Sequence, residues 1–193
     1  MKKWSLGFRV WHWLNALVIF GILITVFLRE SFLNKQTVAE ILTEKLATLH
    51  LTLGSEQAIT VAKAIRAPMW EWHIYLGYAL IALLIYRIIL FKTPSGRRSY
   101  THLMKENIHK KMVKLGYLGI YAALLGIVIT GLVLNFHDLF GIGKTLKHSI
   151  KEVHELTYYI LLYFIPLHII GVFVAENQDE KGILSDMVNG GKQ

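Results

Sequence analysis

Four apolar runs, each about as long as a bilayer is thick, constrain the fold more than any other feature of the sequence. In chain order they are residues 10–28, 73–91, 113–134 and 153–175. Each run is close to the ~20 residues that a helix needs to cross a hydrocarbon core about 30 Å thick. A backbone in lipid must satisfy its own hydrogen bonds, so helices are the expected form. The sequence therefore predicts four transmembrane helices.

The positive charges predict how these helices are oriented. Eight Lys and Arg residues fall between Arg87 and Lys114, around the connection between the second and third runs, whereas the next connection carries three. The N-terminal flank, up to Arg9, adds three more. Because short cytoplasmic flanks are enriched in Lys and Arg, both termini and the 92–112 connection are expected on the cytoplasmic side of a bacterial inner membrane. This bias accounts for the net charge of +8, so no nucleic-acid partner is expected.

The connection between the first two runs, residues 29–72, is long enough to contain structure of its own. It includes VAEILTEKLATLHLTL and SEQAITVAKAIRAPMW, in which apolar residues recur at spacings near three and four. Two short amphipathic helices are expected on the outer side, with Pro68 ending the second of them. Residues 176–193 are expected to form a short polar tail.

Four of the nine histidines lie within or at the ends of the predicted spans: His12, His73, His154 and His168. Ionisable groups inside a membrane are rare and are functional candidates by default. The helix directions place His12 and His168 near the inner face, and His73 and His154 near the outer face. His154 and His168 are separated by about 21 Å along a helix and by about 40° around it, so they share one face.

Two imidazoles at one depth, contributed by different helices, suit bis-histidine axial ligation of a b-type haem. The four histidines then make two stacked haem sites. The chain has no cysteine, which excludes iron–sulfur clusters, zinc–thiolate sites and covalently attached haem. A zinc or non-haem iron site needs three or four clustered ligands. A proton relay needs ionisable groups at mid-depth, which the first three helices lack.

These patterns together predict an all-α fold. It is a single integral membrane domain, a four-helix bundle that holds two stacked b-type haems and has a helical extracytoplasmic loop between helices one and two. Arg9 and Arg87 are expected at the inner ends of these helices, at the depth of the inner histidine pair. Since arginine binds carboxylates bidentately, both are candidates for contacting haem propionates. Positive-inside anchors or snorkelling side chains would occupy the same positions.

Several stretches of the sequence carry a resemblance to a known family. They are RVWHW, WHIYLGY, HKKMVKLGYLGIYAALLGIVITGLVL and, in the fourth run, two histidines in the pattern H-E-x12-H. They resemble the bacterial cytochrome b-561 superfamily, which includes the two-haem cytochrome b subunits of nickel–iron hydrogenases and formate dehydrogenases. The resemblance extends over residues 5–175. It implies that the same four histidines bind two haems b and that the protein conducts electrons in the membrane.

The resemblance also points to a quinone site. In related subunits this site lies near the inner haem, beside the start of the third helix, which here reads KENIHKKMVK. Asn107, His109 and Lys111 are therefore candidates for contacts to the ring oxygens of a quinone or for proton transfer. An ordinary basic loop would have a similar composition.

The leading prediction is a dihaem cytochrome b that carries electrons across the bilayer between the quinone pool and an extracytoplasmic redox protein or cytochrome subunit. The alternative is a stand-alone membrane oxidoreductase of the same fold that oxidises superoxide or quinol. Its best support is a set of basic residues close to His154: Lys144, Lys147, His148 and Lys151. A haem-free membrane scaffold or transporter would leave the pairing of four intramembrane histidines unexplained.

Overall fold

The structure, a computed structural model, describes residues 4–93, 108–178 and 181–190. Within these ranges the chain forms six helices and no strand, and 84% of the residues are helical. In chain order the helices are α1 (Leu6–Glu30), α2 (Lys35–Ala47), α3 (Ser55–Lys92), α4 (Ile108–Asn135), α5 (Lys144–Asn177) and α6 (Ile183–Asn189).

Four of these helices are long and apolar enough to cross a membrane: α1, α3, the Lys114–Asn135 part of α4, and α5. Each predicted run falls within one of them, so the prediction of an all-α membrane fold is confirmed. Their apolar side chains mostly point away from the protein interior. Only 6% of the most apolar stretch of α5 is buried, and 17% of the corresponding stretches of the other three helices. Such surfaces suit lipid, because large exposed apolar patches are rare on soluble monomers.

The described chain divides into two compact units, of which the first runs from Asn15 to Leu80. Its core consists of small side chains, since Ala39 on α2 and Ala58 and Ala62 on α3 are at most 7% exposed and pack together. Short side chains let two helices approach closely, which brings α2 against the first turns of α3. The start of α2 is fixed by its N-cap, where the side chain of Asn34 accepts a hydrogen bond from a backbone N–H.

Helix α3 differs from the expectation at Pro68. This proline lies inside α3 instead of ending a short helix before the span, so the predicted break is wrong. An interior proline removes one hydrogen bond and costs about 3 kcal/mol, but strong helix formers precede it and a membrane span follows it. The single helix of 38 residues is about 57 Å long, so it extends well beyond a hydrocarbon core of about 30 Å.

The second unit comprises the residues on either side of the first. Within it α4 packs along α5, and Leu124 on α4 and Leu161 on α5 are both buried. The first turns of α1 contact α3 through Trp11, which is 5% exposed and whose indole N–H donates to the backbone carbonyl of Leu83 at 2.9 Å. The Trp11 ring also lies 6.3 Å from that of Tyr121 on α4, centre to centre. This unit therefore contains both His12 on α1 and His168 on α5.

The expected polar tail contains the short helix α6. Its last carbonyls accept hydrogen bonds from α1, because Arg9 Nη1 lies 3.4 Å from the carbonyl of Val188 and the indole of Trp13 lies 3.2 Å from that of Met187. A cation is favourable at this end of a helix. Gly190 ends the helix at a φ of +79°, and a Cβ there would lie 2.8 Å from Arg9 Nη1. The backbone conformation therefore favours glycine, and with any larger residue the flexible Arg9 side chain would have to shift.

The alanine core of the first unit gives a direct test. We expect Ala62→Leu to overpack the contact between α2 and α3 and to destabilise it by about 1–3 kcal/mol. Limited proteolysis should then cut the 48–54 connection faster than in the wild type. The matched control is Ala64→Leu, because Ala64 is exposed on the same helix and the added volume meets no neighbouring helix. Equal cleavage of the two variants would contradict the packing described here.

Candidate haem-binding site

Two of the four candidate histidines lie side by side in the second unit. The ring centres of His12 and His168 are 6.2 Å apart, and their planes are inclined by 56°. Each imidazole lies beside a phenylalanine one helical turn earlier, Phe8 for His12 and Phe164 for His168. Residues four apart share a helix face, so the same pattern, F-x-x-x-H, orients the histidine on both helices.

The separation of these rings is appropriate for one metal ion between them. A bond from a transition metal to an imidazole nitrogen is about 2 Å long, and the ring centre lies about 1 Å farther out, so two opposed ligands have centres about 6 Å apart. No group of three or more His, Cys, Asp or Glu ligands occurs among the residues that the structure describes. A pair of imidazoles with no further protein ligand matches the axial ligation of haem rather than a zinc or carboxylate-iron site.

His73 lies in the first unit and is held on two sides. Its Nδ1 is 2.8 Å from the hydroxyl of Thr25 on α1. The indole of Trp70 stacks on the imidazole with ring centres 4.6 Å apart and planes inclined by 2°. The guanidinium of Arg29 in turn lies 5.0 Å from the ring centre of Trp70. The orientation of the His73 ring is thus fixed by a hydrogen bond and an aromatic stack.

His154 lies in the second unit and has a similar polar contact. Its Nδ1 is 2.9 Å from the hydroxyl of Thr130 on α4. The next residue, Gly131, lets the helices come close at this point, since a Cβ there would lie 3.2 Å from His154 Cε1. The predicted pairing of His73 with His154 stays a prediction from sequence.

Arg87 is a buried cation in the second unit, with 3% of its surface exposed. Its guanidinium lies over four aromatic rings, of which Phe91 is nearest at 3.9 Å from the ring centre. The other three rings are those of Phe8, Trp11 and Tyr121. Nε donates to the hydroxyl of Tyr121 at 3.0 Å, while Nη1 is buried and has no hydrogen-bond partner among the described residues. An unsatisfied buried cation is costly, so this nitrogen is suited to an anionic partner.

Arg9 has a comparable unsatisfied atom. Its Nη1 is close to the carbonyl of Val188, but its Nε is buried without a hydrogen-bond partner in the described part of the chain. A haem carries two propionates, and the two arginines offer two buried N–H groups. The donor set of two imidazoles and two arginines therefore fits a haem. The assignment of Arg9 and Arg87 to propionates stays a prediction.

The three candidate quinone contacts cannot be placed. Asn107 lies outside the described residues, and so do the side chains of His109 and Lys111, for which only the helical backbone at the start of α4 is described. Their role stays a prediction based on resemblance alone.

Three polar residues of the spans were missed by the sequence analysis. Thr25 contacts His73, and Thr130 contacts His154. Asn15 is 8% exposed, and its Oδ1 has no hydrogen-bond partner within the described ranges. The position of Asn15 could have identified it from the sequence, because it comes one turn after His12 and polar residues within a membrane helix are functional candidates. Threonine carries no such signal, since its hydroxyl can bond to its own helix.

Comparison with known protein families identifies a match. A family model described as prokaryotic cytochrome b561 matches residues 3–190, which is nearly the whole chain. No curated protein and no solved structure matches the chain.

The close approach at Gly131 yields a prediction. Because a Cβ would meet His154 Cε1 at 3.2 Å, Gly131→Ala should displace the His154 ring and lower the haem content of the purified protein, measured as the b-type α-band per protein. Gly116→Ala on the same helix is the control, since a Cβ there meets nothing within 4 Å. Unchanged haem content and an unchanged spectrum in Gly131→Ala would show that His154 is not held at this contact.

Proposed function

The chain belongs to the prokaryotic cytochrome b561 family of membrane b-type cytochromes, and from this premise we propose that it is a dihaem electron conduit. In this proposal it is one cytochrome b domain of a bacterial inner membrane with both termini in the cytoplasm. It transfers electrons across the bilayer between an extracytoplasmic redox partner and the quinone pool.

The observation that supports this proposal most is the contact between His12 and His168. Two imidazoles from α1 and α5 lie with ring centres 6.2 Å apart, the spacing for two axial ligands on one iron. His154 cannot share that iron, because it precedes His168 by fourteen residues on α5, about 21 Å along the helix. A histidine held by a hydrogen bond at that distance favours a second site, with His73 as its partner.

Each residue of the inner site has a distinct task in this proposal. His12 and His168 would hold the haem iron, and the phenylalanines one turn earlier fix their ring orientations. Arg9 and Arg87 direct their partnerless nitrogens to the propionates and offset their negative charge. A bound haem supplies an iron that gains and loses one electron. The protein keeps water away from it by surrounding the ligands with aromatic side chains.

The length of α3 supports the proposal of an extracytoplasmic redox partner. Helix α3 is about 57 Å long, so roughly half of it extends beyond a hydrocarbon core of about 30 Å. Together with α2 it forms a folded surface outside the membrane span. An extracytoplasmic redox protein docked on this surface would lie close to His73. Quinone exchange is proposed at the other face, at the start of α4, through Asn107, His109 and Lys111.

The alternative, a stand-alone oxidoreductase that oxidises superoxide or quinol, relied on basic residues close to His154. Two of them are paired with carboxylates, because Lys151 Nζ is 2.6 Å from Glu155 and His148 is 3.4 Å from Glu152. Lys147 is 2.6 Å from His137 Nε2. Since pairing reduces the field that an approaching anion would meet, these contacts favour the conduit over superoxide oxidation.

The haem assignment is tested by single substitutions. We expect the wild type to contain two b-type haems per chain, seen in a reduced-minus-oxidised spectrum. His12→Ala and His168→Ala should each abolish one haem, and His73→Ala and His154→Ala should each abolish the other, because each iron needs both of its imidazoles. His50→Ala is the control, since His50 is exposed in the connection between α2 and α3. A colourless wild-type protein, or loss of the same haem in His73→Ala and His168→Ala, would refute the proposed arrangement.

A further inference from the structure

The two outer histidines share a contact that the inner pair lacks. His73 and His154 each place Nδ1 within 2.9 Å of a threonine hydroxyl on a neighbouring helix, Thr25 and Thr130 respectively. His12 and His168 have aromatic neighbours, and no hydrogen bond to either ring is present within the described ranges. The same arrangement thus occurs independently in both compact units.

The hydrogen-bond direction follows from the threonines. The hydroxyl of Thr25 is 2.6 Å from the carbonyl of Ile22, and that of Thr130 is 2.7 Å from the carbonyl of Gly126. A carbonyl only accepts and a hydroxyl has a single proton, so each hydroxyl donates its proton to its own helix. Towards the imidazole it can then only accept. Nδ1 of each histidine therefore carries the proton, and Nε2 keeps a lone pair available for a metal.

On this basis, and resting on the proposed haem function, we propose that Thr25 and Thr130 are positioning residues for the outer haem. They select the tautomer of His73 and His154 that presents Nε2 to the iron, and they tune the reduction potential of that haem. A hydrogen bond from the far N–H of a ligating histidine raises the basicity of the ligand. Stronger donation favours ferric over ferrous iron and so lowers the midpoint potential.

A lipid environment favours this arrangement. Thr25 is 6% exposed, so its hydroxyl has little access to water. A buried imidazole N–H without an acceptor would be costly. In a membrane helix the acceptors available are other side chains and backbone carbonyls, and His154 also has a hydrogen bond to the backbone of Ile127. A threonine that bonds first to its own helix offers an acceptor lone pair at a fixed position.

The test is a potentiometric titration of the purified protein. Thr25→Val and Thr130→Val remove the hydroxyl with little change in shape, whereas Thr25→Ser and Thr130→Ser retain it. Each valine variant should raise the midpoint potential of one haem and leave the other unchanged. The haem affected should be the one lost in His73→Ala and His154→Ala. The serine variants should titrate as the wild type.

The matched control is Thr157→Val on α5. Thr157 is buried and its hydroxyl donates to the carbonyl of Val153 at 2.8 Å, but it has no hydrogen bond to a histidine within the described part of the chain. Valine variants that titrate as the wild type, or an equal shift in Thr157→Val, would overturn the inference. If a valine variant loses the haem, recovery in the serine variant supports the inference and loss in both overturns it. A wild type without two haems would refute the proposed function instead.

Discussion

Because lipid offers no hydrogen bonds, every polar group within these helices depends on a partner supplied by the protein or by a bound group. The spans satisfy this requirement in a few defined ways. The indole of Trp11 uses the carbonyl of Leu83, and the threonine hydroxyls use carbonyls of their own helices. Three buried side-chain atoms have no hydrogen-bond partner among the described residues: Arg9 Nε, Asn15 Oδ1 and Arg87 Nη1. Such unsatisfied atoms indicate where a bound group is needed.

The surroundings of Arg87 show how a cation can be kept in an apolar interior with no carboxylate partner among the described residues. Four aromatic faces lie around the guanidinium, and each contributes about 0.5–2 kcal/mol of cation–π attraction depending on desolvation. A carboxylate partner from the protein would neutralise the charge, but the aromatic faces leave it available. The positive charge can therefore stabilise a propionate, which a salt-bridged arginine at the same position would do less well.

The sequence predicted the features that depend on length and depth, and it missed those that depend on packing. The four spans follow from runs of about 20 apolar residues, and the proximity of His12 to His168 follows from helix direction. The continuity of α3 through Pro68 does not follow from local rules, because the cost of a proline is offset by the segments on both sides. The contacts of Thr25 and Thr130 with histidines could not be predicted from the sequence for another reason. Threonine is common in membrane helices, and only the position of a neighbouring helix distinguishes a hydroxyl beside a histidine.

The contrast between His12 and His168 on one side and His73 and His154 on the other bears on the proposal that one helix contributes ligands to two haems. On α5, His168 is oriented by Phe164 from its own helix, whereas His154 is oriented by Thr130 from α4. An aromatic neighbour fixes the ring plane but leaves the proton on the imidazole unassigned, while a hydroxyl fixes both. Two histidine ligands can thus differ in how strongly they donate electrons to a metal, because different side chains contact their rings. If iron binds at both levels as proposed, residues outside the ligand set would contribute to the potential difference between the two sites, and changing them would alter it without changing a histidine.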